Sequence, residues 1–187
     1  HDRFRSGRDS ERHGCDGGGW SYPAIVAGGN NACILHYNTN HMRLQAGDLL
    51  LIDAGAEYGS FAGDVTRTIP VDGAYRTTQR AVYEVVLAAQ LASTALCKAG
   101  VPFEQVHEAT VDELCRGVCG LGLFKGSWQE CKETKAYRRW YMHNTSHWLG
   151  LDVHDAGRYR TDGVSRPLQP GMVLTVEPGL YFQPDDD

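Results

Sequence analysis

The chain has 187 residues, of which 42% are hydrophobic, with a formal net charge of -5 and a pI near 5.9. This length and apolar content are enough for one well-buried domain. The acidic balance and the lack of a basic cluster interleaved with aromatic residues argue against a nucleic-acid groove, and no apolar run approaches the roughly 20 residues that span a membrane. The six cysteines form no CxxC pair or regular framework, a pattern typical of reduced, mostly buried thiols in a cytoplasmic protein.

The N-terminal part of the chain divides near residue 21. Residues 1–21 show no hydrophobic periodicity and are interpreted as the poorly structured remnant of a preceding element. After them, the pattern predicts a strand at 24–27, a turn at 28–31 and a second strand at 33–37, which places His36 near the end of that strand. Taken alone, a histidine between Leu35 and Tyr37 is more typical of a structural residue than of a catalytic one.

Two acidic residues, Asp53 and Asp64, stand inside apolar or β-branched runs where a solvated carboxylate is not expected. Strands at 49–52 and 65–69, joined by a turn at 58–63, predict a hairpin in which Asp53 lies opposite Asp64. Cross-strand partners are about 5 Å apart at Cβ, and like charges at that distance are destabilising unless a cation lies between them. The pattern equally fits a hairpin in which Asp64 only begins a strand and Asp53 bonds a turn.

From Thr77 the hydrophobic period changes from two to 3.6. The apolar stripe predicts a helix that runs to about residue 96, followed by stop signals at Lys98, Gly100 and Pro102. A second helix is predicted from about 103 to 119, and a short helix with a loop over 127–140. Since no repeat or linker divides residues 22–187, these elements indicate one mixed α+β domain.

The segment from 143 to 155 contains three of the eight histidines within twelve residues. The four-residue spacing of His143 and His147 resembles a helical zinc site, but no glutamate follows the first histidine and Asn-Thr-Ser is a poor helix interior, so that interpretation is rejected. We interpret His147 as a single imidazole ligand, with His143 and His154 facing the same cavity from a loop and a strand. The alternative is a histidine-rich surface loop, which the apolar neighbours, such as Trp148 and Leu149, disfavour.

A Pro170-Gly171 turn begins a predicted strand at 172–177 that ends in Glu177. Buried carboxylates are normally paired or bound to metal. Two aspartates, one histidine and one glutamate form an oxygen-rich ligand set that favours Mn²⁺ or Co²⁺. Because carboxylates can bridge, this set suits two ions about 3.5–4 Å apart, an arrangement that activates water for hydrolysis.

Four segments together carry a family resemblance: 25–37, 50–73, 143–159 and 168–182. In this order they resemble the catalytic domain of the Xaa-Pro aminopeptidases (aminopeptidase P) of the pita-bread metallopeptidase family, over about residues 20–187. The resemblance implies an α+β pita-bread fold, a curved mixed or antiparallel sheet flanked by helices, truncated at both ends, and two Mn²⁺ ions, with Co²⁺ or Zn²⁺ as possible substitutes. The implied metal ligands are Asp53, Asp64, His147 and Glu177. The implied substrate-binding and intermediate-stabilising histidines are His36, His143 and His154.

The function implied by the resemblance is hydrolysis of the N-terminal Xaa-Pro bond by a hydroxide that bridges the metals, with Glu177, His154 and His143 as the catalytic residues. The expected partners are peptides with proline second and further copies of the chain, with neither nucleic acid nor membrane, in the cytoplasm. A fifth ligand, a second glutamate, and the C-terminal strands are expected beyond residue 187, and Asn144 replaces a glycine common in relatives. The alternatives are a prolidase, which cleaves Xaa-Pro dipeptides, and a non-catalytic peptide- or protein-binding module.

Overall fold

A computed structural model of the chain describes residues 17–183. By its backbone contacts the described chain divides into two compact units. The first comprises residues 17–75, 149–155 and 182–183, and the second comprises 76–148 and 156–181. The predicted remnant at residues 1–16 lies outside the described residues.

The first unit is built from two small antiparallel sheets. One has the strand order β1 (Gly17–Trp20), β4 (Ala56–Tyr58) and β5 (Phe61–Ala62), and the other has the order β2 (Ile25–Gly28), β3 (Leu49–Ala54) and β6 (Val65–Pro70). Every described pair within them is antiparallel. The expectation of a poorly structured segment through residue 21 is therefore wrong for residues 17–20, because their backbone pairs with β4 across a bulge.

The second sequence-predicted strand, at 33–37, is not formed. Residues Gly29–Cys33 make a 3₁₀ helix directly after β2, and His36 lies exposed in the following turn. Gly29 has a φ of 56°, which turns the chain out of the strand direction before a hairpin can form. Tyr37 instead packs with Ile25 and Ala27 into the small core of this unit.

The second unit contains the helices α1 (Thr77–Ala95), α2 (Phe103–Gly120) and α3 (Trp128–Glu133). Both long helices agree with the predicted positions, and α3, which the Ser127 hydroxyl caps by accepting the Glu130 N–H, confirms the predicted short helix. The helices α1 and α2 approach closely at Gly117, where an added Cβ would lie 2.1 Å from Val85 Cγ1.

The core of the second unit lies along α2 and extends to two connecting segments. Val106, Trp148 and Leu168 form a buried cluster that also contacts Met172, Leu174 and Val176. A short hairpin of β7 (Arg160–Thr161) and β8 (Val164–Ser165) turns at Asp162-Gly163, both of which have positive φ values. Asp-Gly is a favoured pair for a two-residue hairpin turn, because both positions require positive φ.

The predicted strand at 172–177 is not a regular strand. It forms one isolated antiparallel bridge, Trp148 with Leu174, and two further backbone hydrogen bonds to the 145–147 segment. The pairing ends there, so the segment is extended without being part of a continuous ladder. None of the helices within residues 17–183 combines the length and apolar character needed to cross a membrane.

We expect Leu114→Ala to destabilise the protein by about 2–5 kcal/mol, because Leu114 is fully buried on α2 and its removal leaves a cavity. Urea unfolding followed by circular dichroism measures the change. Leu91→Ala on α1, whose side chain is 59% exposed, is the control and should change stability by no more than about 0.5 kcal/mol. Equal effects of both substitutions would contradict the placement of the core along α2.

Candidate functional site

Asp53 and Asp64 come together in the first unit, by a geometry other than the predicted one. In the β3–β6 register the partner of Asp53 is Thr66. Asp64 precedes β6 and lies outside the ladder, because the connection contains its own short hairpin, β4 and β5. The expected direct opposition of the two aspartates is therefore wrong, but their carboxylates share one hydroxyl, that of Tyr22, at 2.5 Å from Asp53 Oδ1 and 2.9 Å from Asp64 Oδ1.

Two glycines bring the ends of β3 and β6 close enough for this contact. A Cβ built on Gly55 would lie 1.7 Å from the carbonyl oxygen of Gly63 and 3.0 Å from the Tyr22 ring. Since real Cβ atoms essentially never come within 3.0 Å of another atom, residue 55 must be glycine for this backbone crossing. Gly55 is two residues after Asp53 and Gly63 directly precedes Asp64, so the crossing fixes the separation of the two aspartates.

The two carboxylates of this pair share one phenol as a hydrogen-bond donor. Burial, together with the two carboxylates, raises the pKa of Tyr22 well above its usual range, so the phenol keeps its proton. A phenol has a single proton for two carboxylate acceptors. Two half-buried carboxylates around one neutral donor form an oxygen-rich environment that a divalent cation would neutralise.

His147 and Glu177 form a second pair, within the second unit. The Nδ1 atom of His147 lies 2.9 Å from the carbonyl oxygen of Trp148, which only accepts hydrogen bonds, so Nδ1 carries a hydrogen. The opposite nitrogen, Nε2, lies 3.2 Å from Glu177 Oε1. In a neutral imidazole with this tautomer, Nε2 directs a lone pair at the carboxylate. The contact therefore needs a proton or a metal ion between the two atoms.

The backbone and Thr175 hold this second pair in place. The N–H of His147 donates to Thr175 Oγ1 at 3.0 Å, and the Thr175 hydroxyl donates to Glu177 Oε1 at 2.8 Å. The N–H groups of Thr175 and Glu177 donate to the carbonyls of His147 and Thr145. The imidazole and the carboxylate are thus fixed to each other through both side-chain and backbone hydrogen bonds.

The remaining histidines predicted for the site have different surroundings. His143 Nε2 lies 2.9 Å from the Tyr181 hydroxyl, and Nδ1 lies 2.8 Å from the Asn144 carbonyl. His154 lies exposed in a bend at 151–154, not on the predicted strand, because the backbone here curves, with Gly150 N–H donating to the Asp152 carbonyl. The same segment is attached to β5 by the Ala62 N–H, which donates to the Gly150 carbonyl.

The donor chemistry of both pairs fits the implied divalent metal. Within residues 17–183, however, no group of three or more His, Cys, Asp or Glu side chains is arranged to hold an ion. The fit therefore rests on two pairs: two carboxylates with one shared proton, and an imidazole lone pair facing a carboxylate. Carboxylate oxygens and an imidazole nitrogen are donors that hard and borderline cations accept.

A buried polar network that the sequence did not indicate adjoins the second pair. Thr145 Oγ1 lies 2.9 Å from His107 Nδ1 on α2 and 2.7 Å from the Tyr141 hydroxyl. Thr145 and Tyr141 are both almost completely buried. Tyr22 and Thr175 were missed as well, since each is an ordinary residue by composition and is marked only by its three-dimensional contacts.

Comparison with known proteins gives consistent matches. Residues 3–187 match the profile of metallopeptidase family M24. The chain is 49% identical over 167 residues to an Xaa-Pro aminopeptidase of Haemophilus influenzae, covering 89% of this chain and 39% of that protein. It is also 49% identical to the Escherichia coli Xaa-Pro aminopeptidase over 165 residues, 88% of this chain and 37% of that protein. The chain thus spans about two fifths of the length of these relatives.

Solved structures give the same result for the fold. Pseudomonas aeruginosa aminopeptidase PepP superposes with a TM-score of 0.89 at 47% identity, over 90% of this chain and 38% of that one. Zinc-substituted Escherichia coli aminopeptidase P in complex with product superposes with a TM-score of 0.88 at 47% identity, over 95% of this chain and 40% of that one. These matches confirm the predicted α+β pita-bread fold and the resemblance to the aminopeptidase P proteins.

We expect Gly55→Ala to destabilise the protein by more than about 3 kcal/mol, since the added methyl group collides with the backbone of Gly63, which has no side chain to move aside. Thermal unfolding measures the loss. Gly120→Ala at the end of α2 is the matched control, because nothing lies within 4 Å of its added Cβ. A Gly55→Ala protein with unchanged Tm would contradict the close crossing next to Asp53.

The second prediction from this site concerns pH. Burial lowers the pKa of His107, and the cationic Arg138 and Lys132 and the neighbouring His143 act in the same direction, while Glu104 opposes them. The unfolded state therefore binds a proton to this imidazole at a higher pH than the folded state does. Above the ordinary histidine pKa of about 6.5, His107 therefore does not reduce the free energy of unfolding. As the pH falls below that value towards the lower pKa of the folded state, the unfolded state takes up the proton first and the free energy of unfolding decreases.

His107→Asn should flatten the dependence of the free energy of unfolding on pH between about pH 7 and 5, measured by urea titration. Thr110→Val, one turn further along α2, removes a buried hydroxyl without removing an ionisable group and should keep the wild-type slope. If the pH dependence of the free energy of unfolding is unchanged in His107→Asn, the pKa of His107 is the same in the folded and unfolded states, and the prediction is wrong.

Proposed function

Because the chain belongs to metallopeptidase family M24, we propose that the protein containing it is a metal-dependent aminopeptidase that hydrolyses the N-terminal Xaa-Pro bond of peptides. The relatives named Xaa-Pro aminopeptidase support this substrate class. The observation that carries the proposal is the pair of half-buried carboxylates, Asp53 and Asp64, that share the single proton of Tyr22. Two neighbouring carboxylates are oxygen donors that a divalent cation can bind together.

We propose four metal ligands for the intact protein, arranged in sequence as two pairs: Asp53, Asp64, His147 and Glu177. Their oxygen-rich donor set suits two Mn²⁺ ions, and Co²⁺ or Zn²⁺ are possible substitutes. Bound divalent ions would lower the pKa of a water molecule and polarise the substrate carbonyl. Proton transfer and substrate binding are assigned to side chains of the protein, as follows.

Glu177 is proposed to accept the proton of the attacking water. Thr175 donates to Oε1 of this carboxylate, which orients the group and leaves lone pairs of both carboxylate oxygens for other partners. His147 remains a ligand, since its Nδ1 hydrogen is committed to the Trp148 carbonyl and only Nε2 has an available lone pair. This tautomer is the one a metal ligand requires.

Three histidines are proposed to bind substrate. An Xaa-Pro bond has no N–H, so a peptide containing it needs recognition through its carbonyl groups and the proline ring. His154 and His143 are proposed to donate to the carbonyl oxygen as negative charge develops there, a contact typically worth about 3 kcal/mol in the transition state. His143 is partnered by Tyr181 and Asn144 in this structure, so it would exchange one of these bonds for the substrate. His36 is proposed to line the proline side.

A cytoplasmic location and a homo-oligomeric state are also proposed for the intact protein. Four cysteines within the described residues are free thiols, as in a reducing compartment: Cys97, Cys115, Cys119 and Cys131.

The proposed function is tested with the full-length protein, Mn²⁺ and three peptides: a tripeptide with proline second, the same tripeptide with alanine second, and an Xaa-Pro dipeptide. We expect cleavage of the first peptide, with release of its N-terminal residue, and about two manganese ions per chain by metal analysis. Asp53→Asn should lower kcat/KM by at least about 100-fold, since it removes a charged ligand.

Asp72→Asn, which changes an exposed aspartate after β6, is the matched control and should keep full activity. Cleavage of the dipeptide alone would replace the proposal with a prolidase. If the protein neither cleaves the peptides nor retains metal, the result favours a non-catalytic binding module.

A further inference from the structure

The network around Thr145 needs a physical reason, because its groups are buried and polar. Thr145 is fully buried and Tyr141 is 1% exposed. Burying hydroxyl groups costs free energy unless each finds a hydrogen-bond partner. Here the hydroxyls of Tyr141 and Thr145 and the Nδ1 atom of His107 satisfy one another.

Thr145 Oγ1 lies at the centre of this network, between the Tyr141 hydroxyl and His107 Nδ1. Burial raises the pKa of Tyr141 above its usual range, so the phenol retains its proton, and its neighbour in the network is Thr145 Oγ1. Thr145 has a single proton, which is then available for His107, provided that the imidazole is neutral with Nδ1 as acceptor. The lowered pKa of His107 favours that neutral form. The hydroxyl of Thr145 thus joins Tyr141 to α2.

Thr145 also holds the second pair through its backbone. Its carbonyl accepts the Glu177 N–H at 2.9 Å, and two residues later the His147 carbonyl accepts the Thr175 N–H at 3.0 Å. The side chain of Thr145 is attached to α2, while its main chain is attached to Glu177. A shift of Thr145 would therefore move the backbone of both residues of the pair.

We propose that His107 is a positioning residue that holds Thr145 against α2 and thereby sets the placement of His147 and Glu177. The inference rests on the proposed function, in which these two residues bind metal. Metal sites tolerate displacements of only about 0.5 Å from the productive geometry, and their supporting hydrogen bonds typically contribute 10- to 100-fold in affinity. His107 is part of a regular helix, which makes it a rigid support.

The test compares three variants of the full-length protein. His107→Leu removes the bond to Thr145, His107→Asn keeps a side-chain acceptor near the position of Nδ1, and Thr110→Val is the matched control. Thr110 lies one turn along the same helix, and its hydroxyl contacts that of Ser93 at 2.5 Å within the same unit. Ser93 also donates to the Ala89 carbonyl, so the control leaves that hydroxyl with a partner.

Three quantities are measured for each variant: the Mn²⁺ dissociation constant by calorimetry, the hydrogen-exchange protection of the Glu177 amide without metal, and kcat and KM on the tripeptide. His107→Leu should weaken Mn²⁺ binding by about 10-fold, reduce the protection of the Glu177 amide, and lower kcat more than it raises KM. His107→Asn should restore binding to within about 3-fold of wild type. Thr110→Val should lower Tm with all three quantities unchanged.

The proposal is overturned if His107→Leu loses stability as Thr110→Val does and keeps wild-type Mn²⁺ affinity and amide protection. If His107→Leu does not fold, Thr145→Val takes its place, since it removes the hydroxyl that bonds to His107 Nδ1 and keeps the size of the side chain, and unchanged Mn²⁺ affinity in that variant also overturns the proposal. Failure of the proposed function is distinguishable, because the wild-type protein itself would then neither bind Mn²⁺ nor cleave the tripeptide.

Discussion

The contact on which the first unit depends is the one between the Tyr22 hydroxyl and two carboxylates. A phenol has one proton to donate, and here two carboxylate oxygens lie within hydrogen-bond distance of it. The crossing of Gly55 and Gly63 excludes side chains in order to keep Asp53 and Asp64 at this distance. The fold therefore brings two acidic side chains together around one donor, an arrangement that supports the proposed role of both as metal ligands.

The second unit brings together a second pair with different residues. His147 is held in the tautomer that directs a lone pair at Glu177, and Thr175 fixes both groups. In both pairs, side chains of the kind that bind divalent cations lie next to each other, and neighbouring hydrogen bonds orient them. This shared feature supports a metal-dependent function more strongly than any single residue type.

The sequence predicted those parts of the structure that depend on local pattern. The 3.6-residue period located α1 and α2 almost to the residue, and the acidic residues in apolar runs identified Asp53, Asp64 and Glu177 as unusual. It failed where tertiary pairing decides the outcome. The register of Asp53 depended on a small hairpin inside the connection, and the 172–177 segment found only one bridge. The hydrogen bonds of Tyr22 and His107 could not be predicted, because their partners lie 31 to 42 residues away in the chain.

Thr145 contacts α2 through its side chain and Glu177 through its backbone. This double contact explains why a polar network is buried here. An apolar residue at this position would pack against α2 without fixing a direction, since dispersion contacts are nondirectional. A hydroxyl with two partners has one orientation, and the backbone carbonyl of the same residue takes its orientation from it. Because every member of the network is satisfied only when the others are present, loss of one partner leaves a buried donor or acceptor unpaired, at a cost of about 1–3 kcal/mol. In the proposed arrangement, the rigid helix α2 holds Thr145, the Thr145 carbonyl orients the Glu177 N–H, and the Glu177 carboxylate is placed as a result.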